Sequence, residues 1–293
     1  MKDISILIPT YNHTCVELVR TLQQQARQLP VSYEIIVADD GSTLASTIQA
    51  NRAVNDYPNS RFIERPANAG RAAIRNYLAG QASMPWVLFI DSDMVVRCPD
   101  FLRRYVDTPD EHAVYDGGIC VGGDARQLKH NLRYQYERAN EHLHTAERRQ
   151  QEPYRDFHTA NFMAPRQLMT EHPFDLRFRH YGYEDVLFGM QIEKSHIPIR
   201  HIDNPLSFEI FEENDQFLNK TEEGLRTLYT FRQELKAGSR LLQRVEQLEW
   251  FMPLLRLYHR LTSKLERRLL LRHPSLFVFS LYRLGYYATL DDR

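Results

Sequence analysis

Short apolar runs that end abruptly in polar residues recur through the first hundred positions. Residues 4–9 form the first, closed by Pro9 and followed by Thr10, Tyr11, Asn12 and His13. Residues 33–38 form a second, ending in Asp39-Asp40-Gly41-Ser42, and 61–64 a shorter third that opens into the loop 65–71, RPANAGR. The fullest run is Trp86 to Ile90, five large apolar residues that pass straight into Asp91, Ser92 and Asp93. A run apolar at every position, not at alternate ones, predicts a strand buried on both faces.

Between these runs the period becomes helical. Val16, Val19, Leu22, Ala26 and Leu29 share one helical face, after a capping box of Thr14 and Glu17. Helices are also predicted over 45–54 and 72–79. Strand–helix alternation predicts an α/β fold, a mostly parallel doubly wound sheet flanked by helices. Beyond Asp93 the pattern loosens into short strands at 113–115 and 119–122. A long amphipathic helix carrying Leu128, Leu132, Ala139, Leu143 and Ala146 follows, and the polar stretch 147–156 reads as a mobile loop. The segments 158–165 and 178–182 lead to Glu184-Asp185 at the start of a helix to about 193. A strand at 197–202, a helix at 221–237 and a helical tail from Arg240 complete the chain.

Composition narrows the classes. With 43% hydrophobic and 26% charged residues, the 293-residue chain is an ordinary globular protein with material for a large core. A net charge of −1 offers no general case for nucleic acid. Cys15, Cys98 and Cys120 are odd in number and form no CxxC pair, which fits a reducing cytosol. The first residues read as strand and turn, without a secretory apolar segment, and no stretch predicts a membrane-spanning helix.

The polar strand ends carry the candidate chemistry, because ligands sit at the C-terminal ends of strands in open α/β sheets. Asp91 and Asp93, at i and i+2, would share one side of an extended backbone and suit a hard divalent cation. Asn68, Gly70, Arg71 and Arg75 would bring guanidinium groups to a diphosphate. Each cluster also has an ordinary reading. Pro9 to Asn12 can be a helix-capping turn, Asp39 to Ser42 an Asx turn, the two arginines solvated, and Glu184-Asp185 a complement to a helix dipole. Their order in one chain is what favours a single site.

ISILIPTYN, ADDGS, NAGRAAIRN, FIDSDMVV and YGYEDVLFG, spread over residues 3–210, closely resemble the family 2 glycosyltransferases of GT-A fold. The resemblance implies inverting transfer of a sugar from a nucleoside diphosphate donor, usually UDP-linked, to a glycan or lipid-linked acceptor. It implies that Thr10, Tyr11 and Asp40 contact base and ribose with Asp39 in support, and that Arg71 meets the base or diphosphate. Pro9, Asn12, Asn68, Gly70, Arg75 and Ser92 belong to the same donor cradle. Asp91 and Asp93 stand for the family's DxD pair, binding Mn²⁺ or Mg²⁺ with Asp93 as the preferred direct ligand. Asp185 would be the general base and Glu184 would bind acceptor or orient the loop. Asn161 falls in a segment that often forms the acceptor side. Many members place a further histidine ligand after an Asn-Pro. Here Phe208 follows Asn204-Pro205, and His201 and Glu209 are the nearby residues able to substitute.

The resemblance divides the chain into 1–237, a nucleotide-sugar-binding and catalytic domain, and 238–293, a helical extension. Within the first, 1–96 would be the donor half and 97–237 the acceptor half. From Arg240 to Arg283 nine basic residues and three acidic ones alternate with aromatic and leucine positions. Such a helix lies on a membrane, which would put the protein peripherally on the cytoplasmic face, or packs as a cap on this chain or on a second subunit of an oligomer. Two other classes stay open: a catalytically silent member that binds nucleotide-sugar or glycan, and a nucleotidyltransferase. The latter usually carries a glycine-rich basic loop after its first strand, where this chain has Pro9-Thr10-Tyr11-Asn12.

Overall fold

The structure, a computed structural model, describes residues 2–109 and 111–292. Met1, Asp110 and Arg293, which fall within the two expected segments, lie outside the described residues. The first part alternates as expected: β1 (Ile4–Thr10), α1 (Val16–Ala26), β2 (Tyr33–Asp39), α2 (Ala45–Asn51), β3 (Ser60–Glu64), α3 (Arg71–Gln81), β4 (Trp86–Ile90). Next come β5 (Met94–Val95), α4 (Phe101–Val106), β6 (Val114–Asp116), β7 (Ile119–Val121), α5 (Leu132–Asn140), α6 (Ala146–Arg149), β8 (Asn161–Pro165) and α7 (Arg166–Glu171). The chain closes with α8 (Glu184–Lys194), β9 (Ile199–His201), β10 (Leu206–Phe208), α9 (Asn214–Thr230), α10 (Arg240–Gln247), α11 (Met252–Arg272) and α12 (Leu276–Ala288).

Seven strands form one sheet in the order β3-β2-β1-β4-β8-β6-β9. The four on the β3 side run parallel, and β8 inserts antiparallel to both β4 and β6. A second sheet, β5-β10-β7, has three strands. Alternate residues of the central strands serve different cores, as the two-residue period of a strand requires. Ile6, Ile8, Ile35, Val37, Leu88 and Ile90 pack with α1, while Leu7, Ile36, Ala38, Val87 and Phe89 pack with α3. Both faces are covered, so β4 is buried throughout.

Four expectations are corrected. The capping box does not form, because the helix starts one residue later, with Cys15 as its N-cap and its N–H donating to Asn51 at 2.9 Å, and Glu17 pairs with Arg20 instead. The long helix after Leu128 is broken: Glu141 turns back to accept from the Val121 N–H, and Thr145 caps a separate α6. The polar stretch 147–156 is anchored, since Arg149 is buried against Asp116. The helix expected at 221–237 begins at Asn214 and ends at Thr230. The three cysteines are free.

The C-terminal helices share a core with the rest of the chain. Leu242, Met252, Leu255 and Tyr286 pack with Phe178, Leu187, Leu225 and Leu228, and Leu270 and Phe279 pack with Leu132 and Leu218. Among the described residues no helix is long and apolar enough to cross a membrane.

Candidate active site

In β1 and β2 the residue pair Thr10 and Asp39 lie in register, so both strands deliver their polar ends to the same edge. Their side chains mostly shape loops. Thr10 donates to the His13 carbonyl at 2.9 Å, and Asn12, at φ 52°, accepts from the backbone N–H groups of Thr43 and Leu44 ahead of α2. Asp39 accepts from the Ser42 N–H and hydroxyl. Asp40 accepts from Arg65 at 2.5 Å and from the Ala69 and Gly70 N–H groups. Burial pushes the Asp40 carboxyl up, against those hydrogen bonds and the Arg65 charge. Pro9 is partly covered, whereas Tyr11 leaves its ring exposed at the rim. The two loops touch: a Cβ on Gly41, at φ 71°, would lie 2.4 Å from the Ala67 backbone, so only glycine fits. Asn68 accepts from the Gly70 N–H and closes the turn into α3.

α3 then sends two arginines across the strand ends. Arg75 is buried, donating to Asp91 at 2.6 Å and facing Glu184 at 3.4 Å. Arg71 lies over the Tyr181 ring at 4.9 Å. Burial works against the Arg71 charge, but Tyr181, Asp91, Glu184 and Asp93 outweigh it and raise its pKa.

Asp91, Ser92 and Asp93 are not extended. The Met94 N–H donates to the Asp91 carbonyl at 3.1 Å, making a turn, so the expected same-side argument from strand geometry does not apply. Asp93, half-buried, has no hydrogen-bond or ion-pair partner among the described residues. Burial pushes its carboxyl up and Asp91 adds to the rise, while Arg71, His13 and Arg133 oppose it.

The second acidic pair opens α8. Two successive residues with positive φ, Gly182 at 93° and Tyr183 at 71°, turn the chain sharply just before it. Glu184 is buried, and burial raises its carboxyl with Asp185 adding, against Arg71 and Arg75. Asp185 is half-buried, and its carboxylate accepts from the Val186 N–H at 2.8 Å.

No motif marked Arg133 or His13 in this region, whereas Tyr181 opens YGYEDVLFG and Phe208 follows the Asn-Pro. Phe208 on β10 pairs with Met94 on β5, one residue beyond Asp93. The Arg133 guanidinium caps the Phe208 ring at 4.3 Å, so an aromatic–cation pair stands beside the DxD turn. Arg133, His13 and Tyr181 reach the site only through folding. The two expected substitutes are engaged elsewhere: His201 contacts Arg149 and Asp116, and Glu209 bonds Arg97. Asn161 is buried, binding the Gly118 and Asn204 carbonyls and accepting from Tyr105, which makes it part of the scaffold. Among the described residues no group of three or more His, Cys, Asp or Glu could hold a metal ion alone. Two cavities of about 470 and about 520 Å³ lie among the later helices, and neither is lined by a strand-end carboxylate.

The glycosyl transferase family 2 model matches residues 5–171 of the chain, which is more than half of it and includes both the β1 turn and the DxD turn. The chain belongs to this glycosyltransferase family. The succinoglycan biosynthesis protein ExoO of Rhizobium meliloti is 31% identical over 132 residues, 44% of this chain and 37% of that protein. The poly(ribitol-phosphate) beta-glucosyltransferase of Bacillus spizizenii is 37% identical over 105 residues, 35% of this chain and 16% of that protein. Each match therefore spans well under half of the curated relative.

Solved structures bear out the GT-A fold. A mannosyltransferase from Pyrobaculum calidifontis, in complex with GDP-Man and Mn²⁺, aligns over 100% of this chain and 89% of its own at TM-score 0.58 and 13% identity. Residues 1–349 of TarS from S. aureus, in complex with UDP, align over 99% of this chain and 90% of that one at TM-score 0.53 and 18% identity.

Proposed function

We propose that this glycosyltransferase moves a sugar from a UDP-linked donor to a hydroxyl of a glycan or lipid-linked acceptor, inverting the anomeric carbon. The observation that carries the reading is two acidic pairs joined through one buried arginine. Asp91 and Asp93 follow β4, Glu184 and Asp185 open α8, and Arg75 bonds Asp91 while facing Glu184. Donor and acceptor chemistry need two separate carboxylate sites, because in-line attack puts the base opposite the leaving diphosphate. Residues 1–96 would hold the donor and 97–237 the acceptor, with 238–293 as an extension. The three free cysteines suit a cytoplasmic setting.

The carboxylates fit a divalent cation. Asp93 is a half-buried carboxylate without a partner among the described residues, and its charge is disfavoured by burial and by Asp91. One or two carboxylates completed by substrate phosphates is how Mg²⁺ is commonly bound, so a third protein ligand is not required. Mn²⁺ or Mg²⁺ held by Asp91 and Asp93 would neutralise charge building on the leaving diphosphate. Arg71 adds a fixed cation to the same region, and Arg75 holds Asp91 in place. Tyr11 offers an exposed ring for the base, within loops that Thr10, Asn12, Asp39 and Asp40 keep rigid. Asp185 takes the proton of the acceptor hydroxyl as the new C–O bond forms. The anomeric carbon's C–O bond to the diphosphate breaks, and its electron pair leaves on the diphosphate oxygen. Glu184, buried on Arg75, orients the start of α8.

Calorimetric titration of UDP with and without Mn²⁺, on the wild type and Asp93→Ala, tests the donor site. Metal-dependent binding that the substitution abolishes is the expected result. Absence of binding by UDP and by every other nucleoside diphosphate would end the reading. The Phe208–Arg133 pair, standing where many members have a histidine, favours a second reading: a member that binds donor without transfer. Metal-dependent UDP binding with no donor hydrolysis or transfer across a range of UDP-sugars would select it.

A further inference from the structure

α11 is apolar on the wrong side. Its inward stripe is Met252, Leu255, His259, Glu266 and Leu270, and it includes a buried His259–Glu266 pair at 3.1 Å. Its outward stripe is richer in hydrocarbon: Leu254, Leu257, Leu261, Leu265 and Leu269 are all exposed, Leu261 at 77% and Leu265 at 60%. Trp250, 80% exposed, just precedes the helix, and Phe277, 77% exposed, follows it at the start of α12. Leucines at 257, 261, 265 and 269 recur every four residues, so they line one face over most of the helix. At 21 residues α11 is about 30 Å long, and an apolar stripe of that length on a globular surface marks an interaction site.

Along α11 the exposed charges have one sign. Arg260, Lys264, Arg268 and Arg272 are exposed, repeat with the same four-residue step, and sit one residue before or three after the leucines. Between Trp250 and Ser280 the single acidic residue is Glu266, which is buried, so the exposed part of this segment carries no anion. A second copy of the chain, packed symmetrically through this stripe, would bring two rows of cations together. An anionic lipid surface satisfies both features, with the leucines entering the interface and the long basic side chains reaching phosphate.

We propose that the outer face of α11, with Trp250 and Phe277 as anchors, docks this enzyme flat on a membrane containing anionic lipid. The helix lies on the bilayer and does not span it. The proposal stands apart from the donor site, because it uses none of the residues assigned there.

Co-sedimentation of the full chain with phosphatidylcholine vesicles, with and without phosphatidylglycerol, tests it. Binding is expected with phosphatidylglycerol, weak without it, and reduced by added salt. Lys264→Gln/Arg268→Gln removes two cations and is expected to weaken partitioning roughly 25-fold, at roughly fivefold per cation. Leu261→Ser/Leu265→Ser is expected to abolish it. All four positions are exposed, and an unchanged circular dichroism spectrum and thermal midpoint confirm that both variants fold. Binding indifferent to phosphatidylglycerol and to both variants would overturn the proposal. So would failure to bind any vesicle, together with a dimer in light scattering that Leu261→Ser/Leu265→Ser converts to monomer, which would assign the stripe to a second copy.

Discussion

Arg75, itself buried, donates to Asp91 at 2.6 Å, while Asp91 stays partly exposed. The same guanidinium faces Glu184, so the two acidic pairs are held relative to each other by one side chain. Arg75→Leu is expected to remove about 3 kcal/mol of stability at neutral pH, because Asp91 and Glu184 lose their buried counter-charge. In mildly acidic buffer the loss should shrink, since burial already favours the protonated form of Glu184. Urea unfolding of both proteins at the two pH values checks this, and an equal loss at both would contradict it.

Asp185→Asn separates base from scaffold. Among the described residues, the half-buried Asp185 carboxylate accepts a hydrogen bond only from the neighbouring Val186 N–H. Stability and UDP affinity are therefore expected to stay close to wild type, with transfer falling by about 10²–10⁴-fold. Equal losses in UDP binding and transfer would remove Asp185 from the role of base.

Asp116 is fully buried and meets Arg149 at 3.1 Å and His201 at 3.4 Å, while accepting from the Gly118 and His158 N–H groups. Burial would raise its carboxyl, but His201 and Arg149 outweigh that and hold it below the usual range. A depressed folded-state pKa means that the stabilisation is complete above the unfolded value and disappears only as pH falls through the folded one. Asp116→Asn leaves Arg149 buried without a carboxylate and is expected to cost about 3–5 kcal/mol at neutral pH. A thermal midpoint within a degree or two of wild type would show that the charge is dispensable.

His144 behaves in the opposite sense to an ion-paired histidine. Burial, with His158 and Arg149 nearby, pushes its imidazole down from 6.5 to about 4. The unfolded chain then binds a proton that the fold refuses, so stability falls as pH drops from 6.5 towards 4. His144→Phe is expected to flatten that part of the curve by on the order of 1 kcal/mol. Denaturant midpoints across this range decide it: an unchanged slope would mean that His144 accepts its proton freely in the fold.

The elements of the first hundred residues were legible because their signals are local. A strand with two covered faces must be apolar at every position, and Trp86 to Ile90 is. The strand ends were legible for the same reason: buried strands stop where the first polar residues appear, and these align across a parallel sheet. Local signals failed where a partner distant in sequence decided the outcome. Asn51 takes the Cys15 N–H at the start of α1 from 36 residues away, and Asp116 drew Arg149 out of an apparently mobile loop from 33 residues away.

The sequence by itself determined the sheet, the family and the two acidic pairs, because burial periodicity and motif order are written along the chain. Only the tertiary structure decided what stands between those pairs. Arg75 could have been a solvated helix residue until Asp91 and Glu184 closed on it. Phe208 took its place beside the DxD turn only through the β5–β10 pairing, and Arg133 reached its ring from α5. The outward leucines of α11 were likewise undecided, since a stripe of apolar residues predicts burial and does not say against what. Folding spent the opposite face of that helix on the protein and left the leucines facing out.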